Sequence, residues 1–197
     1  MEILKTSFTA ILILASLILT AQPITESKKG CVRAQGNLAG GYLPAQQQAS
    51  AYLAADLDVF VDDKLSITGE GWYGFNLNRQ QTGLQKNHAL HWGFNYHPIR
   101  KGKLDPYFGL SPGLGIAEIG RQSEDRRTQR ATGYAALLSG AIGMNYYIGS
   151  VFHLFLKVRA TAGQVRAAPS EPFIPLHEVK LTAGLGWNMR LWSPQER

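Results

Sequence analysis

The chain has 197 residues, enough for one domain with a sizeable core, and its 21 glycines and 10% aromatic residues favour β structure with tight turns over a helical bundle. The formal net charge is +6, but the basic residues form no long run, which argues against a nucleic-acid partner. The single cysteine, Cys31, excludes an intrachain disulfide.

The N-terminus has the pattern of a secretory signal peptide. Lys5 precedes an apolar run, and small residues precede a predicted cleavage site after Ala21. The run is too short to be preferred as a membrane-spanning helix, and no second long apolar run follows it. We therefore assign residues 1–21 to the signal peptide and 22–30 to an N-terminal periplasmic segment. Any membrane insertion of the mature chain must use strands.

After this segment, apolar residues alternate with small or polar residues in eight stretches. The last stretch, 179–192, has Val, Leu, Ala, Trp and Met at every second position, with Lys, Thr, Gly, Asn and Arg between them. The predicted strands in chain order are 32–42, 49–60, 65–77, 88–98, 104–119, 132–148, 152–163 and 179–192.

The connections between these strands alternate strictly in length. Residues 61–64, 98–103 and 149–151 form short connections, whereas 43–49, 78–87, 119–131 and 164–175 form longer, polar ones. Outer-membrane barrels have short periplasmic turns and longer external loops. The pattern predicts an all-β fold, an eight-stranded antiparallel up-and-down transmembrane β-barrel over 31–192, followed by a tail at 193–197.

A soluble lipocalin-like barrel also has alternating strands, but its outer face is wet and carries many charges. Here the less apolar face consists mostly of Gly, Ala, Ser, Thr and Asn, which suit the inside of a narrow barrel. The few charges on this face are expected to lie in the lumen and to pair there, since an isolated enclosed ion is costly. They are Arg33, Asp56, Asp58, Glu70, Lys157, Arg159, Glu178, Lys180 and Arg190.

The heights of these residues along their strands predict specific partners. Glu70 should reach Lys157 and Arg159 in the middle of the barrel. Asp56 and Asp58 should lie lower, level with the two arginines nearest the periplasmic rim, Arg33 and Arg190.

Aromatic residues lie near the strand ends, as membrane-interface girdles require. Tyr96, Tyr146, Phe152 and Trp192 are predicted near one rim, and Tyr73, Phe75 and Tyr134 towards the other. The segment RQSEDRRTQRA is predicted to be an external basic loop that is either simply solvated or able to bind lipopolysaccharide phosphates or a surface partner. Its arginines are Arg121, Arg126, Arg127 and Arg130.

Taken in order along the chain, the signal peptide, the hairpin DVFVDDKLSI, the strand LDPYFGLSPGLGI and a last strand ending in an aromatic residue resemble the small eight-stranded outer-membrane β-barrels of Gram-negative bacteria. This family includes the OmpA transmembrane domain, OmpX and opacity-like proteins. The resemblance implies an outer-membrane location, contact with membrane lipid and lipopolysaccharide, and insertion by the barrel assembly machinery.

Some barrels of this size are lipid A-modifying enzymes. A deacylase needs an outward-facing His and Ser two residues apart with a nearby acid. His88 and Glu118 face outward, but Lys86 and Leu90 occupy the positions of the nucleophile. His91 and His97 share a face yet lie about 20 Å apart along the strand, too far to share a metal.

We therefore predict no catalytic, metal or cofactor site. The predicted function is a non-enzymatic integral outer-membrane protein with a structural or surface-interaction role through its external loops. One alternative is a narrow pore for small solutes or ions. The other is a soluble periplasmic lipocalin-like binding protein.

Overall fold

The computed structural model describes residues 28–76, 83–99, 102–122, 128–166 and 172–191. The predicted signal peptide, Trp192 and the tail lie outside these ranges. The strands are β1 Cys31–Leu43, β2 Gln48–Phe60, β3 Leu65–Asn76, β4 Gly83–Tyr96, β5 Leu104–Gln122, β6 Thr128–Ile148, β7 Phe152–Val165, β8 Ile174–Pro175 and β9 Glu178–Arg190. A short 3-10 helix, Pro44–Gln46, joins β1 to β2.

The strands form a closed antiparallel barrel. Each of β1 to β7 pairs with its neighbour in the chain, and β9 pairs with both β7 and β1. The two-residue strand β8 pairs only with the end of β7 and lies outside the barrel sheet. Eight strands therefore close the barrel, which confirms the predicted fold class. Each of the eight strands is therefore paired on both of its sides, as a lipid environment requires.

The apolar face of the strands points outward. Leu38, Leu90 and Ile142 are 71%, 62% and 62% exposed, while polar side chains from the same strands are buried inside. Exposed leucine, isoleucine and aromatic side chains from all eight barrel strands continue this band around the molecule. Because a lipocalin-like barrel turns its apolar face inward, this orientation excludes the soluble alternative. None of the described residues belongs to a helix long and apolar enough to cross a membrane.

We call the two ends of the barrel the turn rim and the loop rim. The turn rim holds the start of β1 and the ends of β2, β4, β6 and β9, and the loop rim holds the ends of β1, β3, β5 and β7. Gly149 has φ +78° in the tight turn between β6 and β7, a backbone conformation that favours glycine.

Several strands extend further towards the loop rim than the sequence pattern indicates. β4 begins at Gly83, so residues 83–87 are strand and not loop as predicted. β5 and β6 stay paired as far as Gln122 and Thr128. Arg121 and Arg130 are consequently strand residues, which corrects their assignment to an external loop. Cross-strand backbone hydrogen bonds continue the hairpin where hydrophobic alternation has ended.

Candidate functional site

The lumen encloses equal numbers of positive and negative side chains. Ten charged residues are buried within the described ranges, five of each sign. The cations are Lys28, Arg33, Lys157, Arg159 and Lys180, and the carboxylates are Asp56, Asp58, Glu70, Asp105 and Glu178. Removing an ion from water costs several kcal/mol unless a counter-ion and hydrogen bonds replace the water. The balance of signs therefore offers every enclosed cation a carboxylate of opposite sign.

The middle of the lumen is organised around Glu70 on β3. Its Oε1 accepts a hydrogen bond from Arg159 Nη2, and its Oε2 accepts from Lys157 Nζ at 3.4 Å and from Trp72 Nε1 at 3.1 Å. Lys157 also donates to Asp56 Oδ2 at 2.6 Å. Since Lys157 and Arg159 lie on β7, these ion pairs cross the barrel and tie β7 to β2 and β3.

The face of the Trp72 ring receives positive charge from several directions. Lys157 Nζ lies 5.3 Å from the ring centroid and Lys180 Nζ lies 5.1 Å from it. Both fall within the range of cation–π attraction, which strengthens where water is excluded. Trp72 thus fills the centre of the lumen, stabilises the Glu70 carboxylate by hydrogen bonding and stabilises the neighbouring ammonium groups.

A second ionic cluster occupies the turn rim around Asp105. Its Oδ1 accepts from Lys28 Nζ at 2.6 Å, and its Oδ2 accepts from Arg33 Nη1 at 3.2 Å and from the Tyr147 hydroxyl at 2.9 Å. Arg33 also donates from Nε and Nη2 to Asp58 Oδ2, at 2.9 and 2.6 Å. The cluster joins β1, β2, β5 and β6 where the chain enters the barrel.

His97 follows β4 and is buried against the same cluster. Its Nδ1 lies 2.9 Å from Asp105 Oδ1, and its Nε2 lies 3.2 Å from Ser66 Oγ. Burial lowers the pKa of His97 below its ordinary value, although the hydrogen bond with Asp105 opposes this shift. Burial likewise lowers the pKa of Lys28. The turn rim is therefore closed by groups that are all removed from water.

Towards the loop rim the lumen contents become apolar. Glu178 accepts from the Tyr52 hydroxyl at 2.6 Å and pairs with Lys180 at 3.0 Å. Beyond this layer, buried apolar side chains from β1, β4, β5, β6 and β7 and from the connection before β9 pack against one another; they include Leu43, Leu84, Ile119, Leu137, Val165 and Leu176. Side chains thus fill the barrel in three layers, two ionic and one apolar.

The predicted lumen charges divide into those that the structure encloses and one that it does not. Glu70 meets Lys157 and Arg159, and Arg33 meets Asp58, at the predicted heights. Asp56 pairs with Lys157 and not with the arginines near the turn rim, because its side chain faces the middle layer. Arg190 is exposed, which corrects its predicted place in the lumen. It is the last residue of β9 and pairs with Cys31 at the turn rim.

The network also contains lumen residues that were not predicted as part of it, among them Asp105, Lys28, Trp72 and Tyr52. Asp105 and Lys28 complete the turn-rim cluster, and Trp72 and Tyr52 hydrogen-bond the two buried glutamates. In the sequence, Asp105 and Tyr52 occupy inward-facing positions of the period-two alternation. This position identifies the face of the sheet on which they lie. Lys28 precedes β1, so strand periodicity gives no information about it.

The predicted interfacial aromatics lie on the outer face. Tyr96 and Tyr146 are about half exposed near the turn rim with the partly buried Phe152, while Tyr73, Phe75 and Tyr134 are exposed towards the loop rim. The Tyr73 and Phe75 rings contact each other edge to face, 4.9 Å apart. Of the predicted basic segment, Arg126 and Arg127 lie outside the described residues, and the Arg130 side chain is 70% exposed.

The histidines do not form a shared site. His91 Nδ1 lies 3.3 Å from Ser139 Oγ in the middle layer, whereas His97 belongs to the turn-rim cluster. Within the described ranges, no group of three or more His, Cys, Asp or Glu side chains is positioned to hold a metal ion. On the outer face, His88 Nδ1 accepts the Gly74 backbone N–H at 3.2 Å, and Glu118 pairs with Lys86 at 3.4 Å.

The solved structures similar to this chain are small outer-membrane barrels. Neisserial surface protein A has a TM-score of 0.59 at 14% identity, over 80% of this chain and 95% of its own. The outer membrane protein OprG from Pseudomonas aeruginosa has a TM-score of 0.54 at 13% identity, over 86% of this chain and 100% of its own. The attachment invasion locus protein Ail of Yersinia pestis, solved with the heparin analogue sucrose octasulfate, has a TM-score of 0.51 at 10% identity. The match covers 82% of this chain and 99% of Ail.

These identities show a common fold. No protein-family model and no curated protein matches the chain. The chain has the fold of the small outer-membrane β-barrels, as the resemblance of its sequence predicts, and the predicted outer-membrane location agrees with these neighbours.

Proposed function

We propose that this protein is a non-enzymatic integral outer-membrane barrel that anchors four external loops, with a role in envelope structure or surface interaction. The observation that carries the proposal is the combination of an apolar outer band with a lumen filled by paired charges and an apolar layer. A filled lumen gives the barrel rigidity and leaves the loops as the parts that meet other molecules.

The orientation follows from the lengths of the connections. Outer-membrane barrels place short turns in the periplasm and longer loops outside. The turn rim is then periplasmic and the loop rim external. Insertion by the barrel assembly machinery is part of the same proposal. The outward-facing His88 supports the non-enzymatic assignment, because its Nδ1 is used by a backbone N–H and Lys86 and Leu90 stand where a hydroxyl nucleophile would be needed.

The narrow pore is the second candidate, and the middle ionic layer is the feature on which it depends. If Lys157, Glu70 and Asp56 formed a movable barrier, ions would pass when the pairs open. The test is the conductance of refolded protein in a planar bilayer, wild type against Lys157→Ala, with insertion confirmed separately by gel mobility.

We expect a silent bilayer for the wild type, since Lys157 is fully enclosed and paired with two carboxylates. The matched control is Lys103→Ala, an exposed lysine at the turn rim. Steady wild-type channels that change with Lys157→Ala but not with Lys103→Ala would refute the anchor and establish the pore.

A further inference from the structure

The outer wall of the barrel carries an apolar groove at about the mid-height of the strands. It has a volume of about 930 Å³ and spans β1 to β6, where small residues such as Gly71 and Ala136 lie between larger ones. Leu53, Leu90 and Tyr134 border it and are 54%, 62% and 75% exposed. A volume of this size is at the upper end of the range for small-molecule sites. The groove opens on the face that meets the membrane.

The end of the groove nearest the loop rim is polar. His88 lines it, with its ring 4.5 Å from the Tyr73 ring. Its Nδ1 accepts the Gly74 N–H, so the neutral ring carries its proton on Nε2 and can donate a hydrogen bond there.

Two cations lie just above His88 on the same outer face. In the register of β4 and β5, Lys86 pairs with Glu118 and His88 pairs with Ile116. His88 is the next outward-facing residue of β4 after Lys86, so the two residues lie about 7 Å apart along the strand. Lys86 Nζ is 3.4 Å and Arg130 Nη1 is 3.9 Å from the Glu118 carboxylate. Among the described side chains, two cations thus share one carboxylate at this point of the outer face.

We propose that this wall binds lipopolysaccharide, with acyl chains in the groove and a phosphate of the glycolipid on Lys86 and Arg130. The inference rests on the proposed function, since it needs the loop rim to face outward. An acylated, phosphorylated lipid matches both parts of the site at once, the apolar groove and the basic group directly above it.

A second copy of the chain fits the site less well. Two barrels related by a two-fold axis along the membrane normal would bring the same wall and the same rim together. Lys86 and Arg130 of each copy would then face their own counterparts, and like charges in close contact oppose association. A phosphate of the opposite sign removes this repulsion.

The test measures lipid binding by native mass spectrometry on protein extracted from membranes in a zwitterionic detergent. The probes are bisphosphorylated lipid A, its dephosphorylated form and phosphatidylglycerol. We expect a lipid A adduct, with binding of the other two probes at least about tenfold weaker. Equal binding of all three probes would overturn the proposal, because the groove would then be ordinary lipid-facing surface.

Matched variants separate the two parts of the site. K86Q/R130Q should weaken lipid A binding at least about tenfold, whereas K64Q/K103Q, which removes two lysines at the turn rim, should not. G71L fills the groove, where an added Cβ meets only Leu90 at 3.8 Å; G40L is its control, since Gly40 does not line the groove and has nothing within 4 Å. Unchanged binding by K86Q/R130Q or G71L would refute the inference.

Cell fractionation of the wild type distinguishes a failure of this inference from a failure of the proposed function. A chain recovered in the soluble periplasm would refute both. A chain in the outer membrane without a phosphate-dependent lipid A adduct would refute only the lipopolysaccharide site.

Discussion

Replacing Glu70 by alanine gives the sharpest test of the ionic lumen. The substitution removes the carboxylate that accepts hydrogen bonds from Lys157, Arg159 and Trp72. Lys157 keeps Asp56 at 2.6 Å, but Arg159 is left with the Ser139 hydroxyl among the described hydrogen-bond partners. An uncompensated buried charge of this kind costs about 3–5 kcal/mol. We therefore expect Glu70→Ala to lower the free energy of unfolding by about that amount.

The assay is urea unfolding in phosphatidylcholine vesicles, followed by tryptophan fluorescence and by gel mobility. Glu118→Ala is the matched control, because it removes the same side chain from an ion pair with Lys86 that is partly exposed at the rim. Exposed pairs contribute about 0–1 kcal/mol. The double variant Glu70→Ala/Arg159→Met should recover part of the loss, since it removes the orphaned charge. Equal unfolding free energies for Glu70→Ala and Glu118→Ala would refute the buried network.

Two further predictions concern a pair of glycines and a histidine. A Cβ at Gly143 would overlap the Tyr107 ring in the lumen, whereas one at Gly140 faces outward with its nearest atom, Gly109 O, at 3.9 Å. Gly143→Ala should therefore cost about 1–3 kcal/mol in the same unfolding assay and Gly140→Ala under about 1; similar losses would contradict the packed lumen. Because burial lowers the pKa of His97, its stabilising contribution is present above the unfolded value of about 6.5 and is lost as the pH falls below it. Compared with His97→Gln, the wild type should lose more thermal stability between about pH 7.5 and 5.5, and parallel pH profiles would argue against this role.

The outward and inward faces could be predicted from the sequence because period-two alternation is a direct consequence of strand geometry. Leu90, Ile142 and Leu181 follow that alternation and point to lipid. Trp72 does not fit this alternation of apolar with small or polar residues, because the small residue Gly71 precedes it and a second aromatic residue, Tyr73, follows it. An aromatic side chain is compatible with a filled lumen as well as with lipid, so residue type alone does not assign the face of Trp72.

The ends of the strands were less predictable for a different reason. Where β5 and β6 continue towards Gln122 and Thr128, polar residues interrupt the period-two signal, although backbone pairing continues. Arg190 shows the converse case: its position in the alternation is inward, but it is the last residue of β9 and its side chain is exposed. Partners across the barrel, such as Arg33 and Asp105, depend on how the sheet closes, which strand periodicity does not determine.

The neutrality of the lumen also determines where the basic character of the protein can act. The chain has 20 Lys and Arg and 14 Asp and Glu residues, and the ten buried charges, five of each sign, contribute nothing to the surplus of six. An enclosed ion needs a partner of opposite sign, so the lumen has little capacity to hold unbalanced charge. The surplus therefore belongs to the other charged residues, among them Lys64 and Lys103 at the turn rim and Lys86 and Arg130 near the loop rim. These lie in the outer parts of the strands or in the connections next to them, and a positive surface there attracts phosphate. Substitutions in the lumen should consequently change stability, and substitutions at the rims should change association.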